Sequence, residues 1–213
     1  IMVEPIQGEG GVYTPEAGFM KGLRDLCNQK GLLLIFDEVQ SGMGRSGALW
    51  AHQNWAVKPD IMTVAKGLGG GLPIGAMLVA EPHSQVFQPG DHASTFGGNP
   101  VVCSAASAVL KIVQENDFLA EVRAKGSMIS DFFKDLLNLY PGLISEYRGI
   151  GLIWALEINN PLAKEIQAEC TNNGLLINAI GDNILRLLPP LTITVDELNS
   201  AFEIIKYIIA KHS

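Results

Sequence analysis

The chain has 213 residues, 47% of them hydrophobic and 17% charged, with a formal net charge of -7, enough for one or two domains with a sizeable core. An acidic chain of sequence pI about 5.1 repels phosphate backbones and so disfavours general nucleic-acid binding. No apolar run approaches the roughly 18 residues that a membrane span needs.

The chain opens on Ile1-Met2-Val3, a strand already in progress, and is expected to be part of a larger protein. No secretory pattern is read at this end. Cys27, Cys103 and Cys170 are odd in number and far apart, which points to reduced thiols and a cytoplasmic location. Short apolar runs at residues 1–3, 32–36, 61–65 and 74–79 have the length of buried strands. Between the first two, residues 15–30 carry Phe19, Leu23, Leu26 and Cys27 at helical spacing, with Pro15 and Gly31 as punctuation. Strand, helix, strand predicts a βαβ unit of α/β type, in a mostly parallel sheet covered on both faces. After Pro100 the texture changes. Helices are predicted over 101–114 and 117–139, and glycine-broken strands over 147–158 and 175–188. A last helix opens on a Thr194–Glu197 capping box. The expected division is 1–98, part of a larger sheet domain, and 99–213, a bridging helix with a smaller α+β domain.

Chemistry-bearing residues stand at the ends of the predicted strands. Asp37 follows the 32–36 run, where ligands of open α/β sheets bind; there an acid can hold a proton on a cationic ring nitrogen, or simply cap the next element. Lys66 follows the 61–65 run and precedes Gly67, Gly69, Gly70 and Gly71. Desolvation at a strand edge favours its neutral, nucleophilic amine, against the plainer fate of a lysine snorkelling to water. As a pair, Lys66 and Asp37 suit a pyridine-aldehyde cofactor. Gly42 to Gly47 fits G-x-G-x-x-G, but Asp37 to Ser41 intervenes between strand and glycines, so a dinucleotide site is disfavoured. His52, His83, His92 and His212 show no close metal-ligand spacing, and no metal is expected. The loop from His92 to Pro100, with Ser94 and Thr95, offers hydroxyls and N–H groups for a phosphate, or ordinary capping by Asn99. Arg186 is the one charge in an apolar run. It lies on a solvated face or clamps a carboxylate, and Glu4 or Glu9 could neutralise it.

These blocks resemble the class III (ornithine-type) aminotransferases. EPIQGEGG from Glu4, FDEVQSGMGRSG from Phe36, PDIMTVAKGLGGGLPIGA from Pro59, STFGGNP from Ser94 and LRLLPPL around Arg186 follow the family's order and spacing. The resemblance implies fold type I of the pyridoxal-phosphate-dependent transferases. Residues 1–98 would be the C-terminal part of the large cofactor-binding domain. It implies Lys66 as the Schiff-base lysine and proton carrier, Asp37 on the pyridinium nitrogen and Gln40 on the ring's phenolic oxygen. Val39 would pack on the ring. Thr95 would reach the phosphate of a neighbouring subunit's cofactor, with Ser94 beside the substrate, so that a homodimer shares its sites. Arg186 would bind the α-carboxylate of 2-oxoglutarate or glutamate, and Glu9 would pair with Arg186 when a substrate's distal amine is processed. The reaction implied is ω-amino transfer. Donors in the family include N-acetylornithine, ornithine and 4-aminobutyrate; LWAHQ, KGLGGGLPIGAM and GDHASTFGGNP lean to the first. Family members are about twice as long, so the chain corresponds to a C-terminal half, expected to be nearly inactive alone. Rival readings are a NAD(P)-dependent oxidoreductase using Gly42 to Gly47, and a noncatalytic segment that pairs with a transaminase.

Overall fold

The computed structural model describes residues 1–213 and divides them into two compact units. The first comprises Ile1–Ile6 and Pro15–Leu119, the second Gln7–Thr14 and Ala120–Ser213. These units divide the chain elsewhere than the expected boundary at 98/99, in two places. Helix α2 (Pro100–Val113) packs its Ala106, Val109 and Leu110 around Met43, Met62, Val64 and Leu68, so it belongs to the first unit. The turn from Gln7 to Thr14 is bound by arginines of the C-terminal sheet and belongs to the second.

In the first unit, β1 (Met2–Val3), β2 (Ile35–Asp37) and β3 (Ile61–Val64) are parallel, and β4 (Ala76–Val79) runs antiparallel to β3. The crossover between β1 and β2 is α1 (Phe19–Lys30), closed by Gly31 at φ +64, whose N–H donates to the Cys27 carbonyl. Its Met20 and Cys27 bury against Leu34, Phe36 and Val57, each large side chain contributing about 1.5–3 kcal/mol. The predicted strand at 32–36 begins later than expected, and Leu32 and Leu33 are exposed. Asp60 is the cause. Its carboxylate accepts the Leu34 N–H at 2.7 Å, and the Asp60 and Ile61 N–H groups both donate to the Leu34 carbonyl, so the regular ladder starts at Ile35. Nor is the sheet covered on both faces throughout, since Met77 and Leu78 of β4 are exposed.

The second unit is built on an antiparallel sheet of order β5-β6-β8-β7, from β5 (Ile144–Ile150), β6 (Ile153–Ile158), β7 (Asn178–Ile180) and β8 (Ile184–Leu187). Helix α3 (Asn116–Leu139) enters the unit at Ala120 and brings Val122, Ile129, Phe133 and Leu136 into its core. Phe133 meets Trp154 edge-on with centroids 6.3 Å apart. Gly126 lets α3 approach the β5–β6 turn: a Cβ there would stand 2.4 Å from the Gly151 carbonyl oxygen. Helix α4 (Ala163–Asn172) has no counterpart among the predicted elements, whereas α5 (Val195–His212) opens on the expected Thr194–Glu197 capping box. Glu169 of α4 pairs with Lys211 and, at 2.8 Å, with His212 of α5. Glu165, Glu169 and His212 offer ligand atoms within 4.8 Å of one another, a grouping hidden in the sequence because it joins two helices. Lys211 already neutralises the same carboxylate.

Candidate active site

Asp37 and Lys66 follow one another at the carboxyl ends of adjacent parallel strands. In the β2–β3 register Asp37 lies beside Thr63, on the sheet face opposite Phe36 and Met62. The Asp37 Oδ1 accepts the Val39 N–H at 3.0 Å and the Thr63 hydroxyl at 3.2 Å. Its Oδ2 takes no hydrogen bond from the chain, which leaves one oxygen of an oriented carboxylate available. Val39 and Gln40, just beyond, are half-buried.

Lys66 begins the 3-10 turn Lys66–Gly69 directly after β3. It is one of few non-glycine residues at positive φ, +46°, a conformation that costs an L-residue about 1–2 kcal/mol and tends to be retained where a side chain must be aimed. The expectation of a desolvated lysine is corrected. The residue is exposed, and its amine makes no hydrogen bond or ion pair within the chain. The glycines after it have a packing reason as well. A Cβ on Gly70 would meet Val109 of α2 at 2.7 Å, and one on Gly69 would meet Ile74 at 3.0 Å.

Glu38, next to Asp37, points the other way and is buried. It accepts the Ala51 and His52 N–H groups at 2.6 and 2.8 Å, and its Oε1 lies 2.8 Å from His52 Nδ1. It thus organises the 3-10 turn Ala51–Trp55. The Gly42–Gly47 stretch is a turn folded back on Glu38: the Gly42 N–H donates to the Glu38 carbonyl, and a Cβ on Gly42 would stand 2.8 Å from that oxygen. No α-helix starts there, so its backbone N–H groups do not form a dinucleotide cradle. Burial pushes the Arg45 guanidinium in this turn down to about 10.

Ser94 and Thr95 lie in an exposed loop before α2. The Ser94 hydroxyl accepts the Gly97 N–H at 3.0 Å, while Asn99 caps α2 through the Val102 N–H at 3.1 Å. Pro73, Ile74, Gly75, Ser94, Phe96 and Gly97 line a cavity of about 600 Å³. No hydrogen bond or ion pair joins Ser94 or Thr95 to Lys66 or Asp37.

The second unit holds the carboxylate-binding candidate. Arg186 of β8 is buried, which sets aside the solvated-face reading. Its Nη1 donates to Glu9 Oε2 at 2.7 Å and to the Gly8 carbonyl at 3.0 Å. The two side chains differ in exposure, 8% for Arg186 and 75% for Glu9. The arginine is fixed and its countercharge faces water. Two residues of these constellations escaped the sequence reading. Thr63 orients Asp37; alternation from Ile61 puts it on the less buried face, which was the available signal. Arg148 binds the turn that carries Glu9; its signal was a lone cation just before Gly149 and Gly151.

Known proteins share this arrangement of chain. Residues 1–209 match the aminotransferase class-III family. The acetylornithine aminotransferase of Synechocystis sp. is 45% identical over 213 residues, 99% of this chain and 49% of that protein. That of Corynebacterium efficiens is 44% identical over 211 residues, 99% of this chain and 51% of that protein. Among solved structures, an ornithine aminotransferase from Plasmodium yoelii superimposes with TM-score 0.93 at 34% identity, covering 100% of this chain and 57% of that one. The acetylornithine aminotransferase from Elizabethkingia anophelis gives 0.92 at 39% identity, covering 99% and 53%. The chain belongs to the class-III aminotransferase family, and its fold is fold type I of the pyridoxal-phosphate-dependent transferases. It spans about half the length of the curated relatives it matches.

Proposed function

We propose that the protein carrying this chain is a pyridoxal-phosphate-dependent aminotransferase that exchanges the ω-amino group of N-acetylornithine, or a similar donor, with 2-oxoglutarate in arginine biosynthesis. The observation that carries the reading is the pairing of Asp37 and Lys66 at the ends of hydrogen-bonded parallel strands, in a chain of this family. The reading includes a cytoplasmic homodimer. No helix of the chain is long and apolar enough to cross a membrane.

The residues present fit the cofactor. When bound, pyridoxal phosphate supplies an aldehyde carbon that bonds amines and a protonated ring that withdraws electrons. Asp37, with Oδ1 engaged by Val39 and Thr63, has Oδ2 left to accept the ring N–H and keep that proton in place. Lys66 has an amine with no competing partner in the chain. That Nζ is the base that would hold the proton taken from the donor's reacting carbon. Val39 and Gln40, half-buried just beyond Asp37, would hold the ring, Val39 by packing and Gln40 by a hydrogen bond. Thr95 would hold the phosphate of the partner subunit's cofactor, and Ser94 would contact the substrate.

Within the second unit, a buried Arg186 facing an exposed Glu9 suits two unlike substrates. With an ω-amine donor, Glu9 neutralises Arg186. With glutamate or 2-oxoglutarate, the exposed Glu9 side chain swings into water and the substrate's carboxylate takes the guanidinium by charge-assisted hydrogen bonds. The 44–45% identity to acetylornithine aminotransferases favours N-acetylornithine, while the fit to the Plasmodium ornithine enzyme supports ornithine as the second reading. An assay of the full-length protein with N-acetylornithine, ornithine and 4-aminobutyrate, with glutamate and 2-oxoglutarate as the fixed pair, separates them. The highest kcat/KM is expected with N-acetylornithine; a higher value with either other donor replaces the substrate assignment.

A further inference from the structure

We propose that Arg148 is a positioning residue for the Glu9–Arg186 pair: it anchors the turn from Gln7 to Tyr13 and so sets how readily Glu9 yields Arg186 to a substrate carboxylate. The proposal rests on the reading of Glu9 and Arg186 given above.

The turn is closed on itself by the Gln7 and Tyr13 backbones, which exchange hydrogen bonds of 3.0 and 3.3 Å. Arginines hold it at both ends. Arg186 takes the Gly8 carbonyl and Glu9. Arg148 donates from Nε to the Gly11 carbonyl at 3.0 Å, and its guanidinium carbon lies 4.1 Å from the centre of the Tyr13 ring. In the sheet register Arg148 of β5 pairs with Ala155 of β6, which pairs with Arg186 of β8. Both arginines therefore rise from one face, with only the small, buried Ala155 between them.

Arg148 is itself oriented. Its Nη1 donates to Glu157 at 2.6 Å and to Glu146 at 3.2 Å, and the residue is buried. A cation that only balanced those acids would have no need of the Gly11 carbonyl or the Tyr13 face. The turn requires such an anchor. Gly11 sits at φ +121 and the fully buried, β-branched Val12 at φ +57. Strained backbone of this kind persists only where its surroundings over-determine it. With the backbone held, opening the pair is confined to the exposed Glu9 side chain. Loosening Arg148 lets the whole turn drift, and Glu9 then competes less well for Arg186.

The test is made on the full-length, cofactor-loaded protein with two readouts. One is the affinity for glutarate, an unreactive dicarboxylate, by titration calorimetry. The other is the ratio of kcat/KM for N-acetylornithine to that for glutamate. In Arg148→Met, glutarate is expected to bind about fivefold tighter and the ratio to fall about fivefold, the scale of one ordinary net hydrogen bond. Glu9→Gln is expected to shift both readouts the same way, and the double variant to show no further shift. Arg148→Lys keeps the charge facing Glu157 but not the planar fork, so it retains stability and still shows the shift. If Arg148→Met does not fold, Gly11→Ala probes the same anchor, because its methyl would stand 2.9 Å from the Tyr13 ring and 3.0 Å from Ile184. Glutarate affinity unchanged while both kcat/KM values fall together, or effects that add fully to Glu9→Gln, overturn the proposal and leave Arg148 a structural residue. A Glu9→Gln variant with neither readout moved overturns the Glu9–Arg186 reading itself, and the proposal with it.

Discussion

Which oxygen of Asp37 stays available is decided by Thr63. The hydroxyl at 3.2 Å and the Val39 N–H at 3.0 Å converge on Oδ1, so the carboxylate is oriented before any ligand arrives. Thr63→Val keeps the shape and removes the donor. It is expected to weaken pyridoxal-phosphate retention about fivefold, the roughly 1 kcal/mol of a typical net hydrogen bond, with thermal stability nearly unchanged. Equilibrium dialysis of the cofactor checks this, and Thr63→Ser is expected to restore binding. At this scale the sequence marks candidates but says little of their environment. Asp37, Lys66, Arg186 and Glu9 all stand out as charges at the ends of, or within, apolar runs. The exposure of Lys66 was not legible, because it depends on a left-handed residue that no local pattern announces. Adjacent residues of an extended strand face opposite ways. That rule separates Asp37 from the buried Glu38 only once the strand's register is known.

Elements were read best where one face carries many apolar residues. Helix α3, with Val122, Ile129, Phe133 and Leu136 buried, and α5, with its capping box, were legible within a residue or two. Helix α4 was not: a stripe of Ala163, Ile166 and Cys170 is too thin to stand out from a polar stretch. What secures α4 is long-range in sequence, the contact of Glu169 with Lys211 and His212 of α5. The hydrogen bond from Lys211, then that from His212, hold the Glu169 carboxyl below its ordinary value of 4.5. A carboxyl lowered in the folded state stabilises above its unfolded pKa, and that contribution is lost as pH falls through the folded value. The gap in Tm between the native chain and Glu169→Gln is therefore expected near neutrality and to close as pH falls well below 4.5. Salt is expected to narrow it, since the group faces water. Thermal melts across that range check both, and a gap that widens on acidification contradicts the assignment.

At the scale of the whole molecule, each unit contributes a distinct chemical capacity. The first sets an acid and a lysine at the ends of paired parallel strands; the second pairs a buried arginine with an exposed carboxylate. The alternation of strand and helix made the first sheet legible as α/β. The division into units was less so, because residues 7–14 leave the first unit to be bound by Arg148 and Arg186 of the second, a pairing more than a hundred residues apart in sequence. The central claim is that Lys66 is the lysine that bonds the cofactor. Borohydride reduction of the full-length protein after incubation with pyridoxal phosphate, followed by peptide mass spectrometry, tests it directly. One covalent pyridoxyl label is expected, on Lys66, and none in Lys66→Ala; a label on another lysine, or retained in Lys66→Ala, would mean that a different amine bonds the cofactor.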